Sequence, residues 1–134
     1  TNQAGIGKGK FGWEDYESVM RRLGELLSAC GAHIDEAYVC PFHPEASLDY
    51  RHPDHPERKP NPGMLLKAAQ EHGIDLSRSW MIGDKDIDLL AGRNAGCRVA
   101  LVRTGYGSRV DPELADFVAE DLAEAIDRIL AAWP

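Results

Sequence analysis

Two aspartates four residues apart, Asp84 and Asp88, follow a short apolar run and a glycine in Trp80-Met81-Ile82-Gly83. That placement sends the first carboxylate out beyond a strand end and puts the second one helical turn on, on the same side. Hard oxygen donors in such a pair suit Mg²⁺, which takes one or two carboxylates together with substrate oxygens and water. The same spacing also suits a helix start, where Asp84 and Asp86 would serve as caps. Lys59 sits in Arg58-Lys59-Pro60-Asn61-Pro62, just ahead of a helical pattern. An ammonium there can neutralise charge on a transferring phosphoryl group, helped by helix N-terminal amides; a solvated basic pair is the plainer reading. Thr1, Asn2 and Gln3 supply a hydroxyl and two amides ahead of a glycine-rich stretch that carries Lys8 and Lys10. This stretch is neither a P-loop nor a G-x-G-x-x-G turn: three residues separate Gly5 from Gly9-Lys10, and Phe11 stands where a P-loop has Ser or Thr.

The elements that must position these groups are legible from periodicity. Tyr16, Val19, Met20, Leu23, Leu26, Leu27 and Cys30 form one stripe of a helix over 14–30, stopped by Gly31. Ala37–Cys40 is a short β-prone run. Residues 41–62 hold six of the eight prolines and three of the five histidines, which predicts an ordered irregular loop. A helix follows with Asn61 as cap, Pro62 in its first turn and Gly73 as stop. Strands are expected at 80–82, 98–102 and 117–119, and helices at 86–95 and after the capping-box pattern Asp121-x-x-Glu124. The last helix would carry Leu122, Ile126, Ile129, Leu130 and Trp133 on one face. Strands alternating with helices imply an α/β fold: a doubly wound, mostly parallel sheet whose site lies beyond the strands' carboxyl ends.

Composition narrows the function classes. The chain has 134 residues, 22 acidic against 15 basic, a net charge of −7. This acidity argues against nucleic-acid binding through a basic face. No apolar run approaches the ~20 residues of a membrane helix, and no signal peptide is legible. Cys30, Cys40 and Cys97 are odd in number and far apart, so reduced thiols in a cytoplasmic protein are expected.

Taken together, Thr1-Asn2-Gln3-Ala4-Gly5-Ile6-Gly7-Lys8-Gly9, Cys40-Pro41-Phe42-His43-Pro44, Arg58-Lys59-Pro60-Asn61-Pro62-Gly63-Met64-Leu65 and Ile82-Gly83-Asp84-Lys85-Asp86-Ile87-Asp88 form an ordered constellation. It resembles motifs two, three and four of the haloacid dehalogenase superfamily, over the full chain. Within that superfamily it is most similar to the small phosphatases acting on D-glycero-D-manno-heptose 1,7-bisphosphate and on histidinol phosphate, and the Gly5-to-Phe11 stretch looks more like the heptose branch. The resemblance implies a Rossmann-like core and phosphomonoester hydrolysis through an aspartyl-phosphate, with a second aspartate as acid and base. It implies that Thr1 holds a phosphoryl oxygen, with Asn2 and Gln3 beside it. Lys59 would balance the phosphate charge, Asp84 would bind Mg²⁺ with Asp88 in support, and Arg58 and Lys8 would contact a small phosphorylated sugar. The Asp-x-Asp-Gly nucleophile motif of that family is absent from these residues, since Asp84-Lys85-Asp86 is followed by Ile87. The expectation is therefore that residues 1–134 are the C-terminal part of one such domain, beginning at its second motif, lacking the N-terminal strands and inactive alone.

The resemblance also raises a second metal. These phosphatases often hold zinc between a Cys-x-His and a Cys-x-Cys just before Arg-Lys-Pro. Here Phe42 replaces the histidine and the second pair reads His55-Pro56-Glu57, although Cys40, His43, His52 and His55 could still offer four ligands for Zn²⁺. Competing readings are a catalytically dead module binding a sugar phosphate or a protein partner, a hydrolase using Thr1 and its free amine, and a phosphoacceptor receiver domain. A monomer is expected, because the outer face of helix 14–30 carries Glu14, Asp15, Arg21, Arg22 and Glu25.

Overall fold

In the computed structural model, which describes residues 1–132, the short apolar runs and helical stripes become five α-helices and three strands. The helices are α1 (Ala4–Gly7), α2 (Trp13–Ala29), α3 (Gly63–His72), α4 (Asp86–Ala95) and α5 (Leu122–Ala131); the strands are β1 (Trp80–Gly83), β2 (Arg98–Val102) and β3 (Phe117–Ala119). The chain divides into two units, Thr1–Arg58 and the segment from Lys59 onward.

The second unit is the α/β part. Its sheet has the order β1-β2-β3, all parallel, with Ile82 opposite Ala100 and Leu101 opposite Val118. Alternation along β2 divides the core between the two faces. Val99 and Leu101 pack with Leu89 of α4, all fully buried, against Met81 and Val118. On the other face Val102 packs with Ala119 and with Ala125 of α5. Helices therefore cover both faces, as a parallel sheet requires. Burying one such aliphatic side chain contributes about 1.5–3 kcal/mol, so these residues fix the register that sets the strand ends.

Element boundaries follow local chemistry. α3 and α4 stop at Gly73 and Gly96, both left-handed with φ of 64° and 87°. Asp121 caps α5 through the Glu124 amide at 2.9 Å, while the Glu124 carboxylate takes the Glu120 amide at 2.8 Å. The expected box is thus closed one residue further out. The N-cap of α3 is Pro62, not Asn61, and no side chain bonds there. Trp133, expected on the α5 face, lies outside the described residues. Asp116 ties β2 to the turn before β3: its carboxylate accepts the Val99 amide at 2.7 Å and Arg93 Nη2 at 2.8 Å. Burial pushes this carboxyl up, but the Val99 and Arg93 hydrogen bonds together with the Arg93 and Arg98 charges outweigh it and hold it below the ordinary carboxylate value.

The first unit is built differently. α2 matches the predicted helix to within a residue at each end, yet none of its residues is buried, and Val19 and Leu26 of the apolar stripe remain 67% and 51% exposed. The expected strand at 37–40 reduces to one parallel bridge, Asn2 with Cys40. A β-prone run forms a strand only as far as a partner backbone lies alongside, and here the pairing consists of Gln3 N–H to Cys40 O (2.8 Å) and Cys40 N–H to Thr1 O (2.9 Å). All three cysteines are free thiols, with Cys40 and Cys97 buried. Among the described residues no helix is long and apolar enough to cross a membrane.

Candidate active site

At the carboxyl end of β1 the second unit gathers three of the residues singled out by sequence. Lys59 Nζ donates to Asp88 Oδ1 at 2.5 Å, and the two side chains are only 17% and 8% exposed. Asp88 is in the first turn of α4, where its other oxygen accepts the Lys85 amide at 3.2 Å. This one buried carboxylate both caps the helix and orients the ammonium, so the capping and charge readings of the motif are not exclusive. Gly83 makes the arrangement fit: a Cβ there would lie 2.3 Å from the Asp88 Cβ.

Asp84 leaves the strand one residue later and is held by a turn that the sequence reading did not connect with it. Its Oδ2 accepts the Tyr106 amide at 3.0 Å. Gly105, with φ +62°, passes so close that a Cβ would stand 2.2 Å from that oxygen. Lys85 Nζ lies 4.4 Å from the centre of the Tyr106 ring, in cation–π range. The signal for this clasp is the Thr104-Gly105-Tyr106-Gly107 loop straight after the clearest strand, since sites in such sheets collect at strand carboxyl ends.

These donors fit Mg²⁺ in part. Asp84 offers a hard oxygen at the strand end, cradled where a Cβ would intrude, and an ion held by one or two carboxylates needs no more from this segment. Asp88, expected as a second ligand, is committed to Lys59 and to the Lys85 amide. Among the described residues no group of three or more His, Cys, Asp or Glu side chains converges as a metal site.

The first unit holds the remaining candidates. Thr1 Oγ1 accepts from Gln3 Nε2 at 3.2 Å, and Asn2 lies in the bridge to Cys40. Lys8 is paired with Glu45 at 2.9 Å, and the Glu45 carboxyl is lowered by that hydrogen bond and the ammonium charge. Arg58 Nη1 donates to the Phe42 carbonyl at 3.1 Å. The proposed zinc ligands do not assemble. Phe42 lies flat on His55, with ring centroids 3.8 Å apart and planes within 2°. The Nδ1 atoms of His43, His52 and His55 accept the amides of Glu45, Asp54 and Glu57 at 3.0–3.2 Å. Cys40 is fully buried, and burial pushes its thiol up against the opposing Phe42 amide and Arg58 charge. Burial, with the Arg58 and Lys8 cations, likewise holds His43 below its ordinary value.

Comparison with known proteins places the chain in a family. The profile of the HAD-hydrolase-like family matches residues 57–125, the segment from just before Lys59 to α5. A D-glycero-D-manno-heptose-1,7-bisphosphate 7-phosphatase of Thermosynechococcus vestitus is 41% identical across 96% of the chain and 71% of its own length. The D-glycero-beta-D-manno-heptose-1,7-bisphosphate 7-phosphatase of Mesorhizobium japonicum is 39% identical over 98% of the chain, which spans only 60% of that relative. The crystal structure of a D,D-heptose 1,7-bisphosphate phosphatase from B. bronchiseptica, complexed with magnesium and phosphate, superposes with a TM-score of 0.83 at 31% identity, over 98% of this chain and 72% of that one. By profile, by sequence and by fold, the chain belongs to the haloacid dehalogenase-like (HAD-like) hydrolase family.

Proposed function

We propose that the intact protein carrying this sequence is a Mg²⁺-dependent phosphatase that removes the 7-phosphate from D-glycero-D-manno-heptose 1,7-bisphosphate. The observation that carries this reading is the buried Lys59–Asp88 pair beside Asp84 at the end of β1, in a chain whose relatives are named for that reaction. Mg²⁺, when bound, would neutralise phosphoryl oxygens and align the in-line attack. Asp84 is the residue of this segment that would hold it, its carboxylate turned by the Tyr106 amide. Asp88 keeps Lys59 pointed, and the ammonium offsets negative charge as it builds on the transferring phosphoryl group. By their places in the motifs, Thr1 is assigned to a phosphoryl oxygen, Asn2 and Gln3 to the same edge, and Arg58 and Lys8 to the remainder of the substrate. The nucleophile and acid–base aspartates are not among these residues, so residues 1–134 by themselves are proposed to be inactive and to form the C-terminal part of one domain. The intact protein is read as a cytoplasmic monomer.

The test is turnover by the intact protein with Mg²⁺ on heptose 1,7-bisphosphate, histidinol phosphate and other sugar phosphates. The reading requires the highest kcat/KM on the heptose bisphosphate, loss of activity on Mg²⁺ removal, and at least about a hundredfold loss in Lys59→Met, the scale expected for removing one donor to a developing oxyanion. Preference for histidinol phosphate would reassign the substrate; no turnover of any phosphomonoester would overturn the reading.

A further inference from the structure

We propose that the 41–58 loop is closed by a metal-free clasp, the Phe42–His55 stack, and that this clasp positions Arg58 for an anionic group of the substrate. The two limbs of the loop meet at these rings. Phe42 lies flat on His55 and makes T-shaped contacts with Tyr50 and His52, at centroid distances of 5.7 and 6.4 Å. His52 meets His55 edge-on at 5.0 Å. The main chain joins the same limbs: His43 N–H reaches Tyr50 O at 3.1 Å, and His52 N–H reaches His43 O at 3.3 Å.

The clasp reaches Arg58 twice. The Arg58 amide donates to the His55 carbonyl at 2.9 Å, and its guanidinium donates through Nη1 to the Phe42 carbonyl at 3.1 Å. Both anchors therefore belong to the two stacked residues. A backbone shift at either stacked residue would displace a carbonyl that holds Arg58. The guanidinium has five N–H donors in a fixed fork, so binding one carbonyl leaves a face that matches a phosphate. A zinc ion would organise such a loop by drawing four ligands to one point. Phe42 has no donor to give, and its ring covers one face of His55; the stack does the joining instead. That the anion is a sugar phosphate rests on the function proposed above, whereas the clasp rests on the first unit alone.

The experiment uses the intact protein and two independent readouts. Zinc content is measured by mass spectrometry, and tryptic cleavage after Arg51 is followed with and without chelator, Mg²⁺ being restored. The clasp requires no stoichiometric zinc and a cleavage rate unchanged by chelator. Phe42→Leu, which keeps apolar bulk but removes the ring, should speed that cleavage. It should also raise KM about tenfold with kcat altered less than about twofold, since lost orientation of a charged hydrogen bond weakens binding in ground and transition states alike. Phe42→Tyr should restore both. One zinc per chain, chelator-accelerated cleavage, or a Phe42→Leu protein with wild-type cleavage and KM would overturn the proposal. A wild type without phosphatase activity would instead overturn the proposed function, and zinc content and cleavage would then decide the clasp.

Discussion

Asp88→Asn is the most discriminating perturbation of the candidate site, because the amide keeps the shape and removes only the charge. In the native protein the carboxylate is 8% exposed and the ammonium it binds 17% exposed. The substituted side chain could still accept the Lys85 amide through its carbonyl oxygen, as Asp88 does now at 3.2 Å, so the helix cap survives. What is lost is the counter-charge to Lys59. Removing one partner of a buried ion pair costs about 3–5 kcal/mol. The residual exposure of Lys59 lets water offset part of that, which places the loss near the lower bound, about 3 kcal/mol. With a urea m-value of about 2 kcal/mol/M, the unfolding midpoint should fall by about 1.5 M. Urea titration of the intact protein by far-UV circular dichroism measures it. Adding Lys59→Met to Asp88→Asn should return most of the loss, because the charge that needed a partner has gone. An Asp88→Asn midpoint equal to wild type, or a double variant no more stable than the single, would refute the idea that this pair is an energetic unit.

Gly105→Ala should destabilise by about 1–2 kcal/mol from the left-handed backbone alone. Because its Cβ would meet Asp84 Oδ2 at 2.2 Å, it should also weaken Mg²⁺ binding measured calorimetrically, whereas a Mg²⁺ affinity equal to wild type would separate the turn from the metal site. Leu89→Ala should cost about 2–5 kcal/mol through a cavity between α4 and β2; a midpoint shift below that range would show that the sheet collapses onto the gap. Asp116 gives a pH dependence with a definite sign. Its folded pKa lies below the ordinary aspartate value of 3.8, so its contribution is complete above that value and is lost as pH falls through the lower folded one. Asp116→Asn should therefore flatten the stability profile below about pH 4; an unchanged slope there would remove Asp116 from the acid response.

The second unit is legible in the sequence because each of its signals has a short-range cause. β1 and β2 are apolar runs that must be buried, and the glycines after α3 and α4 mark backbone turns that side chains resist. The Lys59–Asp88 pair joins residues far apart in sequence, and only the motif order suggests that they belong together. The clasp on Asp84 is legible only as a glycine loop after β2: its contacts are a backbone amide and a missing Cβ, and neither has a side-chain signature that names Asp84 as the partner.

The first unit shows the complementary lesson, in what residue type can and cannot say about a loop. Cys40, His43, His52 and His55 carry ligand atoms, and counting donors alone makes them a zinc set. Geometry turns the imidazoles to other partners, each Nδ1 taking the amide two residues on. The decisive residue is Phe42, which has no ligand atom and so drops out of any donor count. Its ring lies on the face of His55, where the family pattern would put a histidine that offers a ligand atom. A histidine in a proline-rich loop can serve a metal or an aromatic face equally well, and which it serves is set by its neighbour in space. The same reasoning applies to α2, whose stripe at Val19, Leu23 and Leu26 is helical as its spacing predicts. Helical periodicity reports which residues share a face. It does not report what that face meets, and here the face stays exposed among the described residues.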